Sequence, residues 1–153
     1  MWVSGAAGAF FVALVTIAYT EFRDARQAVR ERTAFARLLS AEVERNDDLV
    51  EISPPPSTEA TREILKVVSS TALPTVDAWI ETRVRFSHQI ELQDFKAIDD
   101  YYEIVRSFAS PSGATVPYRV RGDEPSWKER TSDVKERLAR YAEPNRIWRW
   151  LRA

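Results

Sequence analysis

His88 is the only histidine in this 153-residue chain and cysteine is absent, so any chemistry must come mainly from carboxylates, hydroxyls and arginines. A histidine could serve a hydrolytic triad, but no G-x-S-x-G turn presents a serine to it. The four glycines, Gly5, Gly8, Gly113 and Gly122, form no phosphate-cradling loop. A dinuclear carboxylate centre needs Glu-x-x-His pairs, and no glutamate stands at that offset from His88. Asp99, Asp100 and Glu103 gather on one helical face and offer oxygen ligands to a divalent cation; the competing reading is a solvated outer face. The residues therefore assign no catalytic group, no metal and no cofactor, and the expectation is a protein that is not an enzyme.

Two polar residues stand out for their position. In LLSAEVERNDDLV, residues 38–50, a helix would place Leu38, Leu39, Glu42, Asn46 and Leu49 on one stripe, with an acid and an amide where hydrocarbon is expected. A buried carboxylate is costly unless it is paired or hydrogen-bonded. Glu42 and Asn46 are thus expected to form a structural hub aligning this helix with later ones, with Arg83, Tyr101 or Tyr102 as partners.

These groups need elements to hold them. The composition, 44% hydrophobic and 29% charged, fits one folded domain. Only 4 glycines accompany 8 prolines, and the abundance of Ala, Glu, Arg and Leu favours long helices. The expected class is all-α: an N-terminal transmembrane helix continuing into an antiparallel bundle of four to five helices. The chain divides into an anchor (1–20), a helical stalk (21–34), a bundle (35–143) and a basic aromatic segment (144–153).

The anchor rests on WVSGAAGAFFVALVTIAY, residues 2–19, which carries no charge and would rise roughly 27 Å as a helix. Trp2 and Tyr19 flank it as interfacial aromatics, and Arg23, Arg26, Arg30 and Arg32 follow, which places the N-terminus outside and the rest in the cytoplasm. The expected location is the inner (cytoplasmic) membrane. A cleavable signal with Thr16 and Ala18 as small residues is the competing reading. Gly5, Gly8 and Ala9 belong to small pairs at four-residue spacing, a route to a homodimer.

Along the remainder, no proline or glycine interrupts residues 20–50, so one rod is expected, ended by Pro54, Pro55 and Pro56. Ser57 would cap a second helix running to about Ser70, with Ile64, Leu65 and Val68 inward. A third starts near Pro74 with Val76, Trp79, Ile80 and Val84 at helical spacing. RVRFSHQIEL, residues 83–92, also alternates like a strand, but the favoured reading is helix to about His88, a turn, then a fourth helix from Asp94 with Phe95, Ile98, Tyr102, Val105 and Phe108 or Ala109 buried. Ser126 and Glu129 make a capping box that starts a fifth, lined by Trp127, Thr131, Val134, Leu138 and Tyr141.

Net charge is −1, and residues 119–153 are the basic part; the preceding region is acidic, so no nucleic-acid partner is expected. In NRIWRWLRA, Arg149 lies between Trp148 and Trp150 and Arg152 follows them, a composition suited to a membrane interface or to closing the bundle core. The order of an uncharged span, then LLSAEVERN, then DAWIETR and DFKAIDDYYEI resembles uncharacterised bacterial single-pass membrane proteins with an L-x-x-E-x-x-x-N element. The resemblance covers roughly residues 1–108 and implies a helical fold beside a membrane, without an activity. The expected function is a membrane-tethered interaction or regulatory module with membrane lipid and a protein partner. A membrane-active effector using the span and the Arg/Trp tail is the alternative. A membrane-surface enzyme comes third, and it would need a pocket beside His88 or Glu42.

Overall fold

The computed structural model describes residues 3–53, 62–67, 73–108, 116–119 and 125–143, with side chains from 10–52, 73–107 and 125–143. Its first element is one helix, α1 (Val3–Leu49), 47 residues long; no proline and no glycine after Gly8 breaks its hydrogen-bond ladder. A strand follows directly, β1 (Val50–Ser53), and stops before Pro54. Then come β2 (Arg62–Val67), α2 (Asp77–Ser87), α3 (Leu92–Phe108), β3 (Val116–Arg119) and α4 (Trp127–Ala142).

The helices form an up-and-down antiparallel bundle, as side-chain contacts fix. Phe35 meets Phe86 while Glu42 meets Ala78, so α2 runs back along α1. Trp79 stacks on Tyr102, and Arg83 lies over Phe95, so α3 reverses again. Asp94 reaches Arg140 while Tyr101 stacks on Trp127, and α4 returns beside both α3 and α1. The centre is Trp79, Trp127, Tyr101, Tyr102, Phe86, Leu39, Ile98 and Leu138, all fully or almost fully buried. The aromatic share of this core is large, and ring pairs of this kind add about 0.5–1.5 kcal/mol each beyond the area they bury.

The predominantly helical expectation holds, but one expected helix is a strand. The segment read as helix from Ser57 to Ser70 carries β2 in its described part, so the bundle has four helices among the described residues and not five. β2 lies centrally in a three-stranded antiparallel sheet, β1-β2-β3, pairing Val50 with Val67 and Ser53 with Ile64 on one side and Arg62 with Arg119 on the other. The physical reason is backbone satisfaction. β1 emerges extended because Pro54 follows, which leaves its amides and carbonyls in need of a ladder. The β-branched Ile64 and Val67 suit that ladder better than a lone helical turn. Pro117 sits in β3, at a sheet edge where a missing N–H is tolerated. Val50 and Ile52 pack on the helical core.

A second correction concerns α2. Its inward face is Trp79, Thr82 and Phe86, whereas Ile80 and Val84, expected inward, are 60% and 71% exposed. The α3 and α4 stripes follow expectation for Ile98, Tyr102, Val105, Trp127, Thr131, Val134 and Leu138; the side chain of Phe108 and residue Ala109 lie outside the described ones.

The third correction removes the membrane anchor. Among the described residues no helix is long and apolar enough to cross a membrane, which overturns the transmembrane span over 1–20, the single-pass topology and the inner-membrane location. The apolar stretch with described side chains runs from Phe10 to Tyr19, a rise of about 15 Å, half a bilayer's hydrocarbon thickness. Beyond it α1 continues unbroken through Glu21, Arg23 and Asp24.

Candidate functional site

Glu42 and Asn46 are brought together, both buried on α1, and their partners are backbone groups more than side chains. The residue before α2 is Val76, whose side chain cannot accept a hydrogen bond and makes no cap. Helix N-termini leave amides without intrahelical partners. Glu42 supplies the missing cap from a different helix: the Ala78 amide donates to Oε1 at 3.0 Å and the Trp79 amide to Oε2 at 3.3 Å, while the Thr75 hydroxyl donates to Oε1 at 3.1 Å. The carboxyl also faces the positive end of the α2 dipole. One turn on, Asn46 donates from Nδ2 to the Thr75 carbonyl at 2.8 Å and accepts from the Thr75 amide at 2.9 Å. This two-point match fixes the chain that enters α2.

Of the expected side-chain partners, Arg83 stands elsewhere. Arg83 pairs with Asp99 at 2.8 Å, and the Trp79 indole donates to the same carboxylate. Tyr101 and Tyr102 are fully buried beside the hub, the Tyr101 hydroxyl next to Asn46 and the Tyr102 hydroxyl next to Glu42. Burial, with the nearby Asp47 charge for Tyr101 and the Glu42 charge for Tyr102, pushes both phenols above their ordinary range.

A second buried carboxylate escaped the sequence reading. Asp94, in the first turn of α3, is wholly buried and accepts from Arg137 at 2.6 Å, from Arg140 at 2.9 Å and from the Tyr141 hydroxyl at 2.5 Å. Burial alone would raise its carboxyl; the Tyr141 hydroxyl and the Arg137 and Arg140 guanidinium groups outweigh that and hold it below the usual carboxylate value. Arg137 is itself steadied by Asp133 at 2.7 Å. The signal available in the sequence was an acid at a helix start, with two arginines three residues apart on α4. Near this end Arg32 of α1 lies over the Tyr141 ring, 5.6 Å from its centroid.

The acidic trio does not assemble into a metal centre. Asp99 serves Arg83, Glu103 pairs with Arg106 at 3.2 Å and Asp100 is exposed; among the described residues no group of three potential ligands could hold a metal ion. His88 is exposed at the C-cap of α2. Surface clefts lie at Tyr19–Arg30 on α1 (about 430 Å³), at Glu91–Lys96 and beside Asp47, Lys128 and Lys135. None of these three includes His88 or Glu42.

Of the residues expected at a membrane interface, Tyr19 is 66% exposed and lines the α1 cleft with Arg23. Trp2, Trp148, Arg149, Trp150 and Arg152 lie outside the described residues, and the packing of Gly5, Gly8 and Ala9 lies outside what is described of α1. Comparison with protein-family models, curated proteins and solved structures finds no match to this chain.

Proposed function

We propose that the protein is a non-catalytic interaction module in which a rigid helical body holds out the N-terminal half of α1 as its contact element. The observation that carries this reading is the contrast within one helix. Ala36, Leu39 and Val43 are fully buried, while Phe10, Phe11, Val12, Leu14, Val15 and Ile17 are each at least half exposed. A helix apolar on all sides is normally covered. Even its hydroxyls are turned inward: Thr16 donates to the Val12 carbonyl at 2.8 Å, and Thr20 to the Ile17 carbonyl at 2.8 Å. The polar groups of the body, Glu42, Asn46 and Asp94, are consumed in holding helices together, which supports a binding role over a catalytic one.

The test is a photoreactive phenylalanine analogue at Phe11, Leu14 or Ile17, expressed in the native cell, with one at exposed Glu136 of α4 as the control. Discrete adducts from α1 and none from Glu136 are the expected result. Equal or absent crosslinking at both places overturns the reading.

A further inference from the structure

Between the apolar end of α1 and the point where Arg32 meets Tyr141, one face of the helix has a different character. Among the described residues, a cleft of about 430 Å³ is lined there by Tyr19, Phe22, Arg23, Arg26, Gln27 and Arg30. At about 100° per residue these six side chains fall within an arc of about 140°, whereas Glu21, Asp24 and Glu31 project from the opposite half of the helix. The charges of the stretch are thereby sorted, and the lining holds three arginines and no acid.

These arginines differ from those of the bundle. Arg83, Arg106, Arg137 and Arg140 each meet a carboxylate, while Arg23, Arg26 and Arg30 have no ion-pair partner among the described residues. The nearest acid around the helix, Glu31, accepts from the Gln27 amide nitrogen at 3.1 Å. Three unpaired guanidinium groups therefore stand along about 10 Å of helix. Guanidinium forks match phosphate oxygens two at a time and keep their charge at any physiological pH. At the outer end of the row Tyr19, 66% exposed, offers a ring face on which a planar base can stack. Phe22, already engaged within the chain, forms a wall of the cleft and is not needed as a free surface. The volume is that of a small-molecule site, and the cleft ends at Arg30, before the part of α1 that the bundle covers from Ala36 onward.

We propose that this cleft binds a nucleoside polyphosphate, its base stacked on Tyr19 and its phosphates laid along Arg23, Arg26 and Arg30. The inference goes beyond the interaction-module reading and does not depend on what covers Phe10 to Ile17.

The test is calorimetric titration of the full-length protein with ATP at low salt, beside inorganic triphosphate and adenosine as its two halves. ATP should bind, triphosphate should bind at least about fivefold more weakly for want of the stacked base, and adenosine should give no measurable heat. Tyr19→Ala should weaken ATP to the level of triphosphate and leave triphosphate unchanged. Arg26→Ala should weaken both about tenfold. Arg37→Ala removes an exposed α1 arginine outside the cleft lining and should change neither by more than about twofold. All three are exposed helical positions where alanine is a good helix former, so their urea midpoints should match the parent. Absence of ATP binding at millimolar concentration overturns the proposal. An ATP affinity untouched by Tyr19→Ala also overturns it, as does an equal loss from Arg37→Ala, which would mark a diffuse basic surface. So does a single-stranded oligonucleotide that binds more than about a hundredfold more tightly than ATP, since the occupant is then a polymer.

Discussion

Glu42 and Asp94 are both buried carboxyl groups set at the start of a helix, about 15 Å apart along the bundle as measured by the α1 residues beside them. Glu42 comes from a neighbouring helix and is met by backbone amides and a hydroxyl. Asp94 belongs to the helix it starts and is met by two guanidinium groups and a phenol of α4. One junction is built on fixed peptide dipoles. The other depends on mobile charges, one of which, Arg140, is half exposed. Burial alone therefore does not say how a carboxyl will respond to its surroundings; the kind of donor decides.

The largest test of that difference is removal of the Glu42 acceptor. Glu42→Ala leaves two α2 amides and the Thr75 hydroxyl without it and should cost about 3 kcal/mol in urea unfolding. Asn46→Ala, which abandons the Thr75 backbone, should cost about 2 kcal/mol by the same measure. If Glu42→Leu instead matches or exceeds the parent stability, the cap is not what holds α2 in place.

Asp94 sharpens the contrast through pH. Its folded value lies below the ordinary 3.8, so its stabilisation is complete above about pH 4 and is lost as pH falls through the folded value. Asp94→Asn should be less stable than the parent by about 2 kcal/mol at pH 7, and the two should converge in acid unfolding below pH 4. Convergence at higher pH would mean another group carries the effect. The smallest effect is that of salt. Raising sodium chloride to about 1 M should narrow the gap between parent and Asp94→Asn by about 0.5 kcal/mol and leave the Glu42→Ala gap unchanged.

The features legible in the sequence are those whose partners lie close along it. Ser126 and Glu129 stand three apart, and the capping box is formed, with the Ser126 amide donating to Glu129 at 2.9 Å. The end of α2 at Ser87 and the α3 stripe follow from local periodicity. Glu42 and Asn46 are legible as polar residues on an apolar stripe, but nothing near them in sequence indicates that their main partners are backbone groups 29 to 37 residues away. The informative residue was Val76, a helix-start position with no side-chain acceptor, which calls for a cap from elsewhere. β2 was illegible for a related reason: β1 has four residues between a long helix and Pro54, and β3 lies about fifty residues beyond β2 in sequence. Asp94 looked like an ordinary first-turn acid because the donors that bury it lie more than forty residues away on α4.

The length of α1 has a consequence in phase. Its 47 residues extend roughly 70 Å, of which the stretch beyond Arg32 lies against the bundle. The unbroken helix therefore acts as a ruler that sets both the standoff and the azimuth of its outer end relative to the body. One residue inserted between Arg26 and Gln27 would lengthen the standoff by only about 1.5 Å but swing the outer end by about 100°. Seven residues would add about 10 Å and bring it back to within about 20° of its original bearing.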